Sequence, residues 1–228
     1  MKVVTFGIFA HPDDEAFGPS GVLLDEVKKG NEVHLITLTL GEMGNNPDNV
    51  ANLGGLREKE WREAGGLIGA SSMHYLGYKD SQLDNTCLVD AQSKLTKLIA
   101  DIVDSYPEDV LVDFMIADTN GITGHIDHIV ASRASLYAFY KLKENDARYR
   151  KVRATVLSNK LMPKHNIDWL YMEKGRDINQ IDEVIDTREY HDEIVEIMRC
   201  HNSQRSDVEY HLKLRGEDIG MYYFILIQ

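Results

Sequence analysis

Short apolar runs alternating with amphipathic stretches restrict the fold of this chain more than any other feature. Val3-Val4-Thr5-Phe6-Gly7-Ile8-Phe9-Ala10 is a nearly continuous apolar run of strand length, and Val110–Ala117 is a second. Runs of that kind suit strands buried on both faces. Between them the apolar period lengthens to three and four. Glu15–Lys29 offers Phe17, Val22, Leu23 and Val27 on one side and closes on Lys28-Lys29-Gly30, a helix with an ordinary stop. Leu56–Leu67 sets Leu56, Trp61, Ala64 and Leu67 among charges, and Asp90–Ser105 aligns Leu95, Leu98, Ile99, Ile102 and Val103. Ile129–Leu142 reads as another helix, Glu32–Leu40 and Met73–Leu76 as further strands. The rhythm predicts an α/β fold: a Rossmann-like, mostly parallel sheet with helices on both faces. Beyond it, Val152–Ser158 and Tyr222–Ile227 read as strands and Arg188–His201 as a helix, while Asn159–Thr187 is ambiguous. The long loop 41–55 is expected to be mobile and to line the pocket.

At 228 residues the chain is most simply one domain with a substantial core. A formal charge of −12 argues against nucleic acid, whose affinity rests on cations neutralising phosphate. A small-molecule substrate is the better expectation. Apolar runs stop well short of membrane-spanning length. No basic region and long apolar core open the chain, so a cytoplasmic location is the default. Two cysteines, Cys87 and Cys200, without a CxxC pair, exclude a disulfide framework and a zinc knuckle. Both are expected to be buried small hydrophobes.

Ligands of open parallel sheets collect beyond the carboxyl ends of the strands, and both long apolar runs end in polar clusters. The first is His11-Pro12-Asp13-Asp14-Glu15, the second Gly124-His125-Ile126-Asp127-His128. Asp, Glu and Pro would serve any helix start, but an imidazole before a proline has no capping duty. Pro12 biases His11 to extended geometry, so His11 and one following Asp can face a common point. One histidine of the second cluster would complete a three-ligand set with an open position, as in a catalytic zinc site; the other, oriented by Asp127, would be an acid or electrostatic stabiliser. Spacing does not say which histidine does which job. No G-x-S-x-G or G-x-G-x-x-G pattern offers a serine nucleophile or a dinucleotide site. His34, His74, His165, His191 and His211 lack neighbours of ligand type at useful spacing, and His201 is expected to make a structural hydrogen bond.

With these clusters the chain resembles the LmbE-like family, the GlcNAc-phosphatidylinositol de-N-acetylase (PIG-L) superfamily, whose members include mycothiol- and bacillithiol-pathway deacetylases. The family's A-H-P-D-D-E is unchanged at Ala10–Glu15, and T-G-H-P-D-H recurs at Thr123–His128 with Ile126 in place of Pro. R-x-x-E is matched by Arg57-Glu58-Lys59-Glu60, G-x-x-D by Gly77–Asp80, and H-x-S-Q by His201-Asn202-Ser203-Gln204. The resemblance implies an LmbE-like fold over residues 1–228. It also implies a metal-dependent N-deacetylase, a hydrolase of linear amide C–N bonds acting on an N-acetylglucosamine-type sugar or conjugate. By resemblance His11, Asp14 and His128 hold the metal, zinc or alternatively ferrous iron, and Asp13 is the general base. His125, held by Asp127, is similar to the charge-stabilising histidine, Arg57 and Asp80 correspond to residues that grip the sugar, and Glu15 supports the helix start. The partner is then a small amino-sugar substrate, with homo-oligomerisation left open. Hydrolysis of another small amide or ester is the alternative. A non-catalytic metal- or sugar-binding protein is disfavoured, because it needs no spare carboxylate at Asp13.

Overall fold

The computed structural model describes residues 1–161 and 175–228; His165 lies outside the described residues. Strands β1 (Val3–Phe9), β2 (Glu32–Thr37), β3 (Ser72–Tyr75), β4 (Leu111–Ala117), β5 (Tyr149–Val156), β6 (Glu183–Asp186) and β7 (Met221–Ile227) form one sheet in the order β3-β2-β1-β4-β5-β7-β6. The first five are parallel, and β7 runs antiparallel to both β5 and β6. The sheet is thus mostly parallel, as the alternation predicts. The helices are α1 (Asp14–Phe17), α2 (Ser20–Lys28), α3 (Leu53–Ile68), α4 (Asn85–Val103), α5 (Gly121–Gly124), α6 (Ile126–Lys143), α7 (His191–Cys200) and α8 (Arg205–Arg215).

Strand alternation divides the core between two faces. Val4, Phe6 and Ile8 of β1 join Val112, Phe114 and Ile116 of β4 beneath α4 and α6. Val33, Leu35 and Met115 point to the other face, against Leu23 of α2, Trp61 and Ala64 of α3 and Ile194 and Ile197 of α7. Each face is closed by amphipathic helices whose apolar stripes match it.

Three differences from the sequence reading have local causes. The helix expected over Glu15–Lys29 is two helices, broken at Gly18-Pro19. Pro19 has no N–H to extend α1, and its carbonyl instead accepts from Val22 and Leu23 to start α2. The helix expected from Ile129 begins three residues earlier, so Asp127 and His128 occupy its first turn. β6 and α8 were not anticipated: β6 has four residues, and only Val208 of α8 is buried, leaving little apolar period to read. Cys87 and Cys200 are free and only half-buried, a correction to the expected burial. No helix of the described residues is long and apolar enough to cross a membrane.

His34 couples β2 to β3 through a bond between its Nδ1 and Ser72 Oγ (2.6 Å), and its Nε2 is 2.9 Å from Tyr106 Oη. Burial pulls this histidine down to about 4. The unfolded chain, near the ordinary 6.5, takes up the proton first. The resulting stability is therefore complete above that value and lost as pH falls toward the folded one. Urea unfolding is expected to show a loss of about 1–2 kcal/mol between about pH 7.5 and about pH 5 from this group. His34→Gln should shrink the pH-dependent part; an identical drop in that variant would assign it elsewhere.

Candidate metal centre

From β1 the chain proceeds to β2 and β3 on one side, then returns with β4 on the other side of β1. The carboxyl ends of the paired strands β1 and β4 are therefore the topological switch point, beyond which open sheets of this kind form their crevice. The first polar cluster leaves β1 there, and the second opens α6 shortly after β4. The turn after β1 is sharp. Asp13 has φ of 100°, a left-handed conformation that costs a non-glycine residue roughly 1–3 kcal/mol. Its carbonyl accepts from Ala16 and Phe17, and so launches α1.

This turn aims Asp14 back under the strand end. Asp14 Oδ2 accepts the backbone N–H groups of Ala10 (3.1 Å) and His11 (2.9 Å), and Oδ1 is 3.2 Å from His128 Nε2. His11 Nδ1 is 3.2 Å from the same His128 nitrogen and 3.7 Å from Asp14 Oδ2. Two imidazole nitrogens and a carboxylate thus converge on one small space. His125 approaches too: its ring nitrogen can lie within 4.8 Å of those of His11 and His128.

The far edge of His11 identifies what the convergence suits. Its Nε2 is 3.1 Å from Asp80 Oδ1 and 3.2 Å from Asp127 Oδ2. Burial pulls its pKa down, but the hydrogen bonds to Asp127 and Asp80, with the charge of Asp14, raise it to about 10. Asp14 is held below the ordinary carboxylate range; burial opposes this, but the His128 charge and hydrogen bond prevail. With the Nε2–H held by carboxylates, Nδ1 is the nitrogen whose proton a bound cation would displace, beside His128 and Asp14. A divalent cation with nitrogen and oxygen ligands fits such a donor set, and the carboxylates behind His11 are the outer support that metal-ligating histidines usually have.

The structure brings Asp13, His125 and Asp127 to the same place, with one correction. Asp127 was expected to hold His125. Its carboxylate instead accepts from Ser81 N (2.7 Å) and Leu83 N (3.3 Å) and meets His11. His125 is the N-cap of α6, and its Nδ1 accepts the Asp127 backbone N–H at 3.2 Å. An acceptor nitrogen carries no proton, so this ring is neutral. Burial and the neighbouring His128 and His11 lower its pKa accordingly.

Arg57 and Asp80 lie at the same site. Both were expected to grip substrate, and both are buried, 4% and 5% exposed. Arg57 donates to Asp13 Oδ2 (2.8 Å), Pro12 O (2.5 Å) and Gly41 O (2.7 Å). Burial lifts the Asp13 pKa to about 6 against the opposing charge of Arg57. Asp80 backs His11 and accepts from Met43 N at 2.9 Å. Arg57 thus commits its Nη1 and Nη2 groups, and Asp80 both carboxylate oxygens, to contacts within the site, while Arg57 Nε has no hydrogen-bond partner among the described residues.

The remaining motifs close around these contacts. Glu15 Oε1 is 2.7 Å from His201 Nε2, and Glu60 accepts from Ser203 N (2.7 Å) and Oγ (2.6 Å). Sequence reasoning missed Gly41-Glu42-Met43. Gly41 has φ of 63°, and a Cβ there would lie 2.3 Å from the Arg57 guanidinium. Glu42 Oε1 accepts the Asp80 N–H at 3.2 Å. Two glycines, Gly41 and Gly44, just beyond β2 were the available signal. The loop expected to be mobile is anchored at its start by Gly41 O, Met43 N and Asn45 O, which accepts from Gln204 at 2.8 Å.

The model of one protein family, PIG-L: GlcNAc-PI de-N-acetylase, matches residues 6–139. A 1D-myo-inositol 2-acetamido-2-deoxy-alpha-D-glucopyranoside deacetylase of Mycobacterium sp. (strain KMS) is 31% identical over 151 residues, 58% of this chain and 48% of the relative. The match thus spans about half the length of that relative. A probable N-acetyl-alpha-D-glucosaminyl L-malate deacetylase 2 of Bacillus subtilis is 26% identical over 90% of this chain and 84% of its own. Among solved structures, the N,N'-diacetylchitobiose deacetylase of Pyrococcus horikoshii superposes with a TM-score of 0.68 at 19% identity, covering 99% of this chain and 84% of that one. GalB, the 4-carboxy-2-hydroxymuconate hydratase of Pseudomonas putida KT2440, gives 0.69 at 15% identity, covering 100% and 97%. The two structures share the fold with this chain.

The Arg57 contacts can be checked without any activity. Arg57→Leu leaves Asp13 and two carbonyls without their donor, and urea unfolding should show a loss of about 3 kcal/mol or more. Unchanged stability would mean that the guanidinium is not committed to Asp13.

Proposed function

The chain belongs to the PIG-L (GlcNAc-PI de-N-acetylase) family, and on that premise we propose a metal-dependent hydrolase that removes the N-acetyl group from an N-acetylglucosamine-type amino sugar or conjugate. The convergence of His11 Nδ1, His128 Nε2 and the Asp14 carboxylate beside Asp13 carries this reading. His11, Asp14 and His128 would hold the metal, zinc or ferrous iron, since two histidines and a carboxylate suit both. A sugar bearing the acetamide is common to the substrates that the two relatives are named for, whereas inositol and malate differ.

A metal ion there supplies Lewis acidity, polarising the acetamide carbonyl and acidifying water. The chain's own groups supply the rest. Arg57 fixes Asp13 through Oδ2, and the other carboxylate oxygen, Oδ1, takes the proton of the attacking water. His125, with Nδ1 occupied by a backbone N–H, has Nε2–H as its donor to the carbonyl oxygen as negative charge develops. The proton gathered at Asp13 then serves the departing amine. In this reading Arg57, Asp80 and Asp127 act by holding Asp13 and His11 in place.

Metal-reconstituted protein is expected to release free amine from at least one member of a panel of N-acetylated amino sugars and their conjugates, and chelation should abolish the release. His11→Ala and His128→Ala should lose the metal, because two protein ligands rarely hold a catalytic ion. Asp13→Asn should keep it while turnover falls roughly 10²-fold or more. Full metal occupancy in both histidine variants, or near-normal turnover in Asp13→Asn, would remove these residues from their roles. The fold is shared with a hydratase. Tight metal binding without amine release from any panel member would therefore move the reading to another substrate class.

A further inference from the structure

Behind the converging donors lies a buried pair that the reaction as derived does not use. Glu15 and His201 are both fully buried at the side chain, with Oε1 and Nε2 2.7 Å apart. The other oxygen of Glu15, Oε2, accepts the backbone N–H of Asp13 at 3.1 Å. Glu15 therefore bridges a residue near the end of the chain to the backbone of the residue with φ of 100°. That backbone needs external support. Asp13 is the N-cap of a four-residue helix and makes no side-chain capping bond, because its carboxylate faces Arg57 instead. Two handles then define Asp13: Arg57 on the carboxylate and Glu15 on the amide.

A buried carboxylate makes a precise handle only if its own rotamer is fixed, and His201 is the group that fixes it. His201 has a rigid mount. Its N–H donates to Met198 O at the end of α7, and its carbonyl accepts from Gln204 N. Ser203, two residues on, is clamped to Glu60 of α3, and Phe17 of α1 lies beside the ring, 6.2 Å between centroids. We propose that His201 is a positioning residue: through Glu15 it holds Asp13 in the left-handed conformation that points the base at its substrate. The proposal rests on the reading of Asp13 as the base. It explains why a histidine from the C-terminal third is buried against the first turn after β1.

The test compares His201→Leu, which removes the contact, with His201→Gln, whose amide can still donate to Glu15, in the full metal-loaded chain. Both variants should keep wild-type metal content. Amide hydrogen exchange over residues 13–17 should accelerate, more in the leucine variant. With KM unchanged, kcat should fall about 100-fold in His201→Leu and about tenfold in His201→Gln, the scale expected for a misplaced catalytic group. Unaltered exchange over residues 13–17 overturns the proposal, as does accelerated exchange with wild-type kcat. A loss equal in both variants and tracking metal content also overturns it. If His201→Leu does not fold, the glutamine variant decides. If the wild-type protein deacetylates no sugar, the reading of its function fails, and the exchange data alone then determine whether His201 holds Asp13.

Discussion

Everything around the strand ends answers one electrostatic demand: Asp13, Asp14, Asp80 and Asp127 crowd about a single imidazole, His11. Carboxylates removed from water are tolerated only when paired and hydrogen-bonded. Each is provided for separately. Asp14 has the N–H groups at the end of β1, Asp80 has Met43 N, Asp127 has Ser81 N and Leu83 N, and Asp13 has Arg57. The loops after β2 and β3 are shaped by this duty. The positive φ of Gly41 lets the chain pass against Arg57, and the φ of 61° at Ser81 accompanies an N–H turned onto Asp127. Even so, negative charge exceeds positive, and His11 is driven to hold a proton to about 10. A donor cluster with this excess of negative charge could hold a cation.

The sheet topology explains why this demand can be met at one place. Parallel strands put every loop that follows β1, β2, β3 and β4 on the same rim, and the strand order sends the connections after the paired strands β1 and β4 to opposite sides, leaving a crevice beyond their carboxyl ends. The antiparallel β6–β7 pair and the helices beside it do different work. They deliver α7, and with it His201 and Ser203, to the underside of the first turn. The parallel part supplies the convergent donors. The C-terminal part braces them.

Much of this was legible in the sequence, and the part that was not follows a pattern. β1 and β4 are apolar enough to declare themselves, and the clusters at their ends contain the residues that converge. Pairings across the fold were not legible. Asp127 neighbours His125 in sequence, yet helix geometry from Ile126 turns its carboxylate to His11 and the loop after Asp80. Arg57 and Asp80 carry the polar groups of a substrate clamp, and only the fold reveals their contacts with Asp13 and His11. The Gly18-Pro19 break could have been read from proline chemistry and was not. β6 and α8 lack the apolar periodicity on which any such reading depends. Side-chain type was informative about location; partner choice required the fold.

The most direct check on the central claim is crystallographic. A crystal of the zinc-loaded protein, measured on both sides of the zinc absorption edge, shows where the ion rests independently of any substrate. The expected result is one strong anomalous peak per chain among His11 Nδ1, His128 Nε2 and the Asp14 carboxylate. A peak instead between Asp80 and Asp127, or no peak at the end of β1, would contradict the account of this cluster as the metal centre.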